Sequence, residues 1–96
     1  MIEKLIEQHL VKGIKKLGGL CLKFVSPGSS GVPDRIIISS TGEVIFVELK
    51  TERGKLSKLQ EHMIDEMRKR GADVRVLYEL NDVKSFLDEL SGVDLK

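Results

Sequence analysis

Apolar positions over residues 2–17 recur with helical spacing. At about 100° per residue, Ile2, Leu5, Ile6, Leu10, Ile14 and Leu17 share one broad face, and Lys4, Lys12, Lys15 and Lys16 gather opposite. Gly18-Gly19 ends this helix. The pattern then shortens. Residues 20–25 (LCLKFV) are a brief β-prone run, and SPGSSGVP is a loop, because Pro27, Gly28, Gly31 and Pro33 interrupt either regular period. Asp34 to Ser39 reads as a strand, Ser40 to Gly42 as a turn, and Glu43 to Lys50 as the hairpin partner. Residues 51–55 form a basic connection. Ser57 has the position of an N-cap for a helix whose stripe is Leu59, Met63, Ile64 and Met67, ending before Gly71. Asp73 to Tyr78 is a fourth strand, and Asn81 or Asp82 caps a last helix that ends at Gly92.

The order α-β-β-β-α-β-α specifies an α/β fold, a mixed sheet flanked by helices. Its first three strands can form an antiparallel meander. The third and fourth are joined through a helix, a crossover expected to be right-handed and parallel. Ninety-six residues hold one core and not two, so the expectation is a single domain spanning residues 1–96.

Composition narrows the class. The 41% hydrophobic and 32% charged fractions belong to an ordinary globular chain and not to a disordered one. Aromatics are only 4%, so the core must rest on Ile, Leu and Val. A lone Cys21 allows no intrachain disulfide and points to a reducing compartment. With two dispersed histidines it fits no structural zinc spacing. No apolar run approaches the roughly 20 residues of a membrane span, and Glu3 and Glu7 do not suit a signal peptide. A cytoplasmic protein is expected, with no membrane partner.

The net charge of +1 hides an uneven distribution. Lys50, Arg53, Lys55 and Lys58 cluster against Glu52 alone, with Arg35 nearby, and can form a phosphate-facing rim for DNA. The plainer reading is a solvated loop. SPGSSG lacks the GK[ST] ending of a P-loop, so no nucleotide cofactor is expected. His9 and His62 have no acid–base partner at motif spacing, and Met63 and Met67 belong to a core.

The hairpin carries the sharper chemistry. Along Glu43 to Lys50, Glu48 and Lys50 lie two apart and project from one face with Val44 and Phe46, while Ile45, Val47 and Leu49 take the other. A strand apolar on both faces is a central one, and charges ending it on a packed face are costly unless compensated. Asp34 opens the neighbouring strand. Across a short turn, the start of one strand lies beside the end of the next, so Asp34 and Glu48 are predicted neighbours.

Adjacent carboxylates repel unless a cation sits between them. Magnesium suits the arrangement because it takes few carboxylates and keeps waters. The carbonyl of Leu49 can add an oxygen, and Lys50 can orient a water or stabilise charge developing on a phosphate. The competing reading is a strand-end ion pair. Glu7, on the border of the first helix's apolar arc, can reach over the sheet edge to the same cation, and Glu3, one turn earlier, competes for that role. Ser57-x-x-Gln60 has the form of a capping box, compatible with a place for Gln60 near the metal if the helix starts beside the site.

"GVPDR", "VIFVELK" and "GKLSKLQ", in that order and at that spacing, resemble the VRR-Nuc domain, a branch of the restriction-endonuclease-like PD-(D/E)XK nucleases. "LGGLCLKFVSPG" is similar to the small stand-alone phage and prophage members. The resemblance covers about residues 3–88. It implies a Mg2+- or Mn2+-dependent endonuclease that hydrolyses phosphodiester bonds in DNA. On it, Asp34 and Glu48 are metal ligands, Lys50 is the lysine beside the attacking water, Gln60 the glutamine of the following helix, and Glu7 or Glu3 the helix-one acid. Stand-alone members look like Holliday-junction resolvases working as homodimers. A flap or nicking specificity on the same fold, a non-catalytic branched-DNA-binding module, and a structural dimerisation domain are the alternatives.

Overall fold

The computed structural model describes residues 3–50 and 54–92. Its elements are α1 (Glu3–Lys16), β1 (Leu20–Lys23), β2 (Arg35–Ile38), β3 (Val44–Leu49), α2 (Lys58–Lys69), β4 (Asp73–Leu77) and α3 (Leu80–Leu90). The order is the one the sequence specifies. They build one sheet in the order β1-β2-β3-β4, with both β1–β2 and β2–β3 antiparallel and β3–β4 parallel across α2.

Alternation along the strands divides the sheet into two unequal faces. One holds Ile37, Ile45, Val47 and Leu49, all buried, beneath Ile6, Leu10 and Ile14 of α1 and Val83 and Phe86 of α3. Burying each such side chain contributes about 1.5–3 kcal/mol, so this layer is the principal core. The two covering helices come together at Gly13, where an added Cβ would collide with Leu87. Leu5, placed by periodicity in the α1 stripe, is 45% exposed, and Ile2 lies outside the described residues.

The other face is covered mainly at one side. Helix α2 packs over β4 and buries Ile64 and Val74, which stand apart from the main cluster. The sequence predicts β3 to be apolar and covered on both faces. Val44 is instead 49% exposed and Phe46 half-buried, because one 12-residue helix cannot span four strands.

The last helix starts differently from the sequence reading. Its N-cap is Glu79, whose side chain makes no capping bond. Asp82, in the first turn, accepts a hydrogen bond from the Tyr78 backbone N–H at 2.9 Å, reaching back past the cap. Among the described residues, no helix is long and apolar enough to cross a membrane.

Candidate active site

Asp34 is delivered by a loop with little freedom. Pro33 is fully buried. The Asp34 carbonyl accepts a hydrogen bond from Phe24 N–H at 2.8 Å, which extends the β1–β2 ladder by one residue. Gly31 has φ +87°, and a Cβ there would lie 2.8 Å from the Leu59 carbonyl oxygen. Only glycine admits both that backbone and that approach, so the Asp34 loop rests directly on the first turn of α2.

The β2–β3 register pairs Arg35 with Val47. One further step places Asp34 opposite Glu48, the adjacency predicted from the hairpin. Asp34 is exposed, while Glu48 is 2% exposed. Burial, then the Asp34 charge, raises the Glu48 carboxyl from 4.5 to about 7, against the opposing pull of Lys50. Lys50 Nζ lies 3.5 Å from Glu48 Oε2, and the Lys50 backbone N–H donates to Leu77 O at 2.9 Å, so the strand stays ordered to its end.

Gln60 does two things at once. Ser57 and Gln60 form a complete capping box, with Ser57 N–H donating to Gln60 Oε1 at 2.9 Å and Gln60 N–H donating to Ser57 Oγ at 3.1 Å. The Gln60 amide then donates through Nε2 to Glu48 Oε2 at 3.2 Å. The helix cap thus fixes the rotamer that holds the carboxylate.

Glu48 Oε1 is buried and has no hydrogen-bond partner. An orphaned carboxylate oxygen beside a second carboxylate matches the hard-oxygen chemistry of Mg2+ or Mn2+. The residues therefore fit such an ion, and Asp34 and Glu48 are the side chains that would hold it. No three His, Cys, Asp or Glu side chains among the described residues converge as a ready metal cage. Leu49 follows Glu48 at the strand end, with its side chain buried and its edge on the neighbouring cleft.

That cleft has a volume of about 410 Å³ and is lined by Glu3, Glu7, Lys23, Asp34, Arg35 and Leu49 among others. Glu7 does not join Asp34 and Glu48 in a three-acid cluster. Its Oε2 lies 3.1 Å from Arg35 Nη2, beneath α1. Arg35 is correspondingly not on the rim expected for a DNA contact. It is 9% exposed, since alternation along β2 turns it to the same face as Ile37. Glu3 is exposed at the cleft mouth, and Lys55 and Lys58 are exposed on the approach to α2. Arg53 falls outside the described residues. The Arg35–Glu7 pair was legible in strand parity, which outranks proximity in a charge run.

Comparison with known proteins bears on the same residues. The VRR-NUC domain family matches residues 2–79, a span that includes Asp34, Glu48, Lys50 and Gln60 and ends before α3. The chain is 48% identical over 62 residues to p44, named as a nuclease, of Acyrthosiphon pisum secondary endosymbiont phage 1, a stretch covering 62% of this chain and 67% of that protein. A solved structure described as a VRR_NUC domain matches with a TM-score of 0.84 at 32% identity, over 90% of this chain and 94% of the other. With the family spanning the hairpin and the capping glutamine alike, the chain belongs to the VRR-NUC domain family of nucleases.

Proposed function

We propose that the protein is a Mg2+- or Mn2+-dependent endodeoxyribonuclease that cuts branched DNA, with four-way junctions as substrate and a homodimer as the acting form in the cytoplasm of a bacterial host. One observation carries the reading. The buried Glu48 carboxyl, raised to about 7 next to Asp34, has one oxygen held by Gln60 and the other without a partner. This is a site prepared for a cation, placed at the open end of a rigid hairpin.

A bound divalent ion would supply charge neutralisation at the phosphate and a water of lowered pKa. The chain's own groups do the rest. Asp34 and Glu48 would hold the ion, and Gln60 keeps Glu48 in place. Lys50, next to Glu48, stabilises charge that develops on the scissile phosphate and orients the water for in-line attack, leaving a 5′-phosphate. The dimer follows from arithmetic: one chain offers one such centre, and symmetric resolution of a junction needs two.

The test is a panel of end-labelled junction, flap and linear duplex incubated with Mn2+. Paired nicks in the junction, lost in Asp34→Ala, are expected. A protein that binds the junction in EDTA but nicks nothing with Mn2+ would instead be a non-catalytic binding module.

A further inference from the structure

The sheet face that α2 leaves uncovered is apolar without interruption. The registers Leu20↔Ile38, Leu22↔Ile36, Ile36↔Phe46 and Ile38↔Val44 place these six side chains in two adjoining rows on one face. Leu20 is 56%, Leu22 45% and Val44 49% exposed, with Ile36, Ile38 and Phe46 half-buried. Lys23 and Arg35 turn to the opposite face by alternation, so no charge falls within the rows.

We infer that this face of β1, β2 and β3 is where a second copy of the chain docks. A contiguous exposed apolar patch of this kind marks an interaction surface, and the centres of homodimer interfaces are the more apolar class. A two-fold contact sets a surface against itself, so an uncharged middle avoids the like-charge repulsion that a charged one would incur. The carboxylates lie on the same face. Glu48 is two residues beyond Phe46, about 7 Å along the strand, so docking here would set the two centres at the margin of one shared interface. The choice of a second copy as occupant rests on the two-centre reading above. The surface itself rests on the register and exposures.

Sedimentation equilibrium of the full chain, in EDTA and without DNA, tests it over a range of concentrations. The wild type should be a dimer. Leu22→Lys and Val44→Lys should each weaken self-association by about 100-fold or more, with unchanged circular dichroism. Leu5→Lys, exposed on α1 beyond the opposite face, should leave the dimer intact. Leu20→Lys on the edge strand replaces either patch variant if it fails to fold. A monomeric wild type overturns the inference. So does a dimer that survives the patch substitutions, or one that only Leu5→Lys disrupts. Junction cleavage measured in parallel separates the two claims. A dimer through this face that never cuts refutes the nuclease reading alone; cutting by a monomeric wild type refutes the surface and the homodimer with it, and leaves the nuclease activity standing.

Discussion

Arg35 Nη2 lies 3.1 Å from Glu7 Oε2, and the pair joins the first helix to the strand that carries Asp34. Arg35 is 9% exposed and its Nε has no partner, so Glu7 offsets a charge that is otherwise costly to bury. Removing one member of a buried pair costs about 3–5 kcal/mol. Glu7 is 37% exposed, which lowers the expected cost of Glu7→Gln to about 2–3 kcal/mol. Combining it with Arg35→Met should recover much of that loss. Urea unfolding of the two single variants and the double variant measures the coupling. Additive losses would show that the pair does not anchor α1.

The same burial bears on DNA binding. A side chain beneath α1 cannot release counterions from a phosphate, whereas Lys55 and Lys58 are exposed beside the site. In fluorescence anisotropy with a junction in EDTA, Lys55→Ala and Lys58→Ala should each reduce the slope of log affinity against log salt by about 1. Arg35→Met should leave that slope unchanged. A reduced slope in Arg35→Met would mean that the pair opens on DNA.

Glu48 makes stability depend on pH in a definite direction. Its folded carboxyl titrates at about 7 and its unfolded one at 4.5, so the folded state holds the proton more tightly. Its contribution is therefore most favourable below 4.5, is lost as pH rises to about 7, and is constant above that. The full change is at most about 3 kcal/mol. Glu48→Gln, a neutral side chain of the same shape, should melt higher than the wild type in EDTA at pH 8 and show no advantage at pH 4.5. It should also abolish cleavage. Saturating Mn2+ should raise the melting temperature of the wild type and not of the variant. Equal melting of the two proteins at pH 8 would show that the carboxylate is not strained by burial.

The parts of the fold that the sequence disclosed are those set by period and by short turns. Asp34 faces Glu48 because three residues, Ser40 to Gly42, leave the hairpin no other alignment. The cap of α3 was not legible in this way, since Glu79 makes no capping bond and Asp82 works from inside the first turn. Gly13 carried no sign of its role beyond being an unfavourable residue in mid-helix; only the meeting with Leu87 explains it. Arg35 lies off the charged rim because strand parity, not its place in the run of charges, decides which face it takes. The open sheet face is not legible in the sequence either. Apolar alternation on both sides of β3 indicates that something covers each face, but not whether the cover belongs to the same chain.

Ser57 and Gln60 allow a folding role to be tested apart from a role at the proposed site within a single motif. Both are needed for the capping box, but only Gln60 also donates to Glu48 Oε2, at 3.2 Å. Ser57→Ala removes the cap acceptor and should cost about 1 kcal/mol, with junction cleavage retained at temperatures well below melting. Gln60→Ala should cost a similar amount of stability and in addition free the Glu48 carboxylate, lowering kcat by at least about tenfold and weakening Mn2+ affinity. Gln60→Glu keeps a cap acceptor while placing a third acid against Glu48, so it should rescue stability at neutral pH without rescuing kcat. Thermal melting, Mn2+ titration by electron paramagnetic resonance and steady-state cleavage on the three variants read these out together. If Ser57→Ala and Gln60→Ala lose cleavage in equal measure, the glutamine acts through the helix start alone and its contact with Glu48 has no catalytic weight.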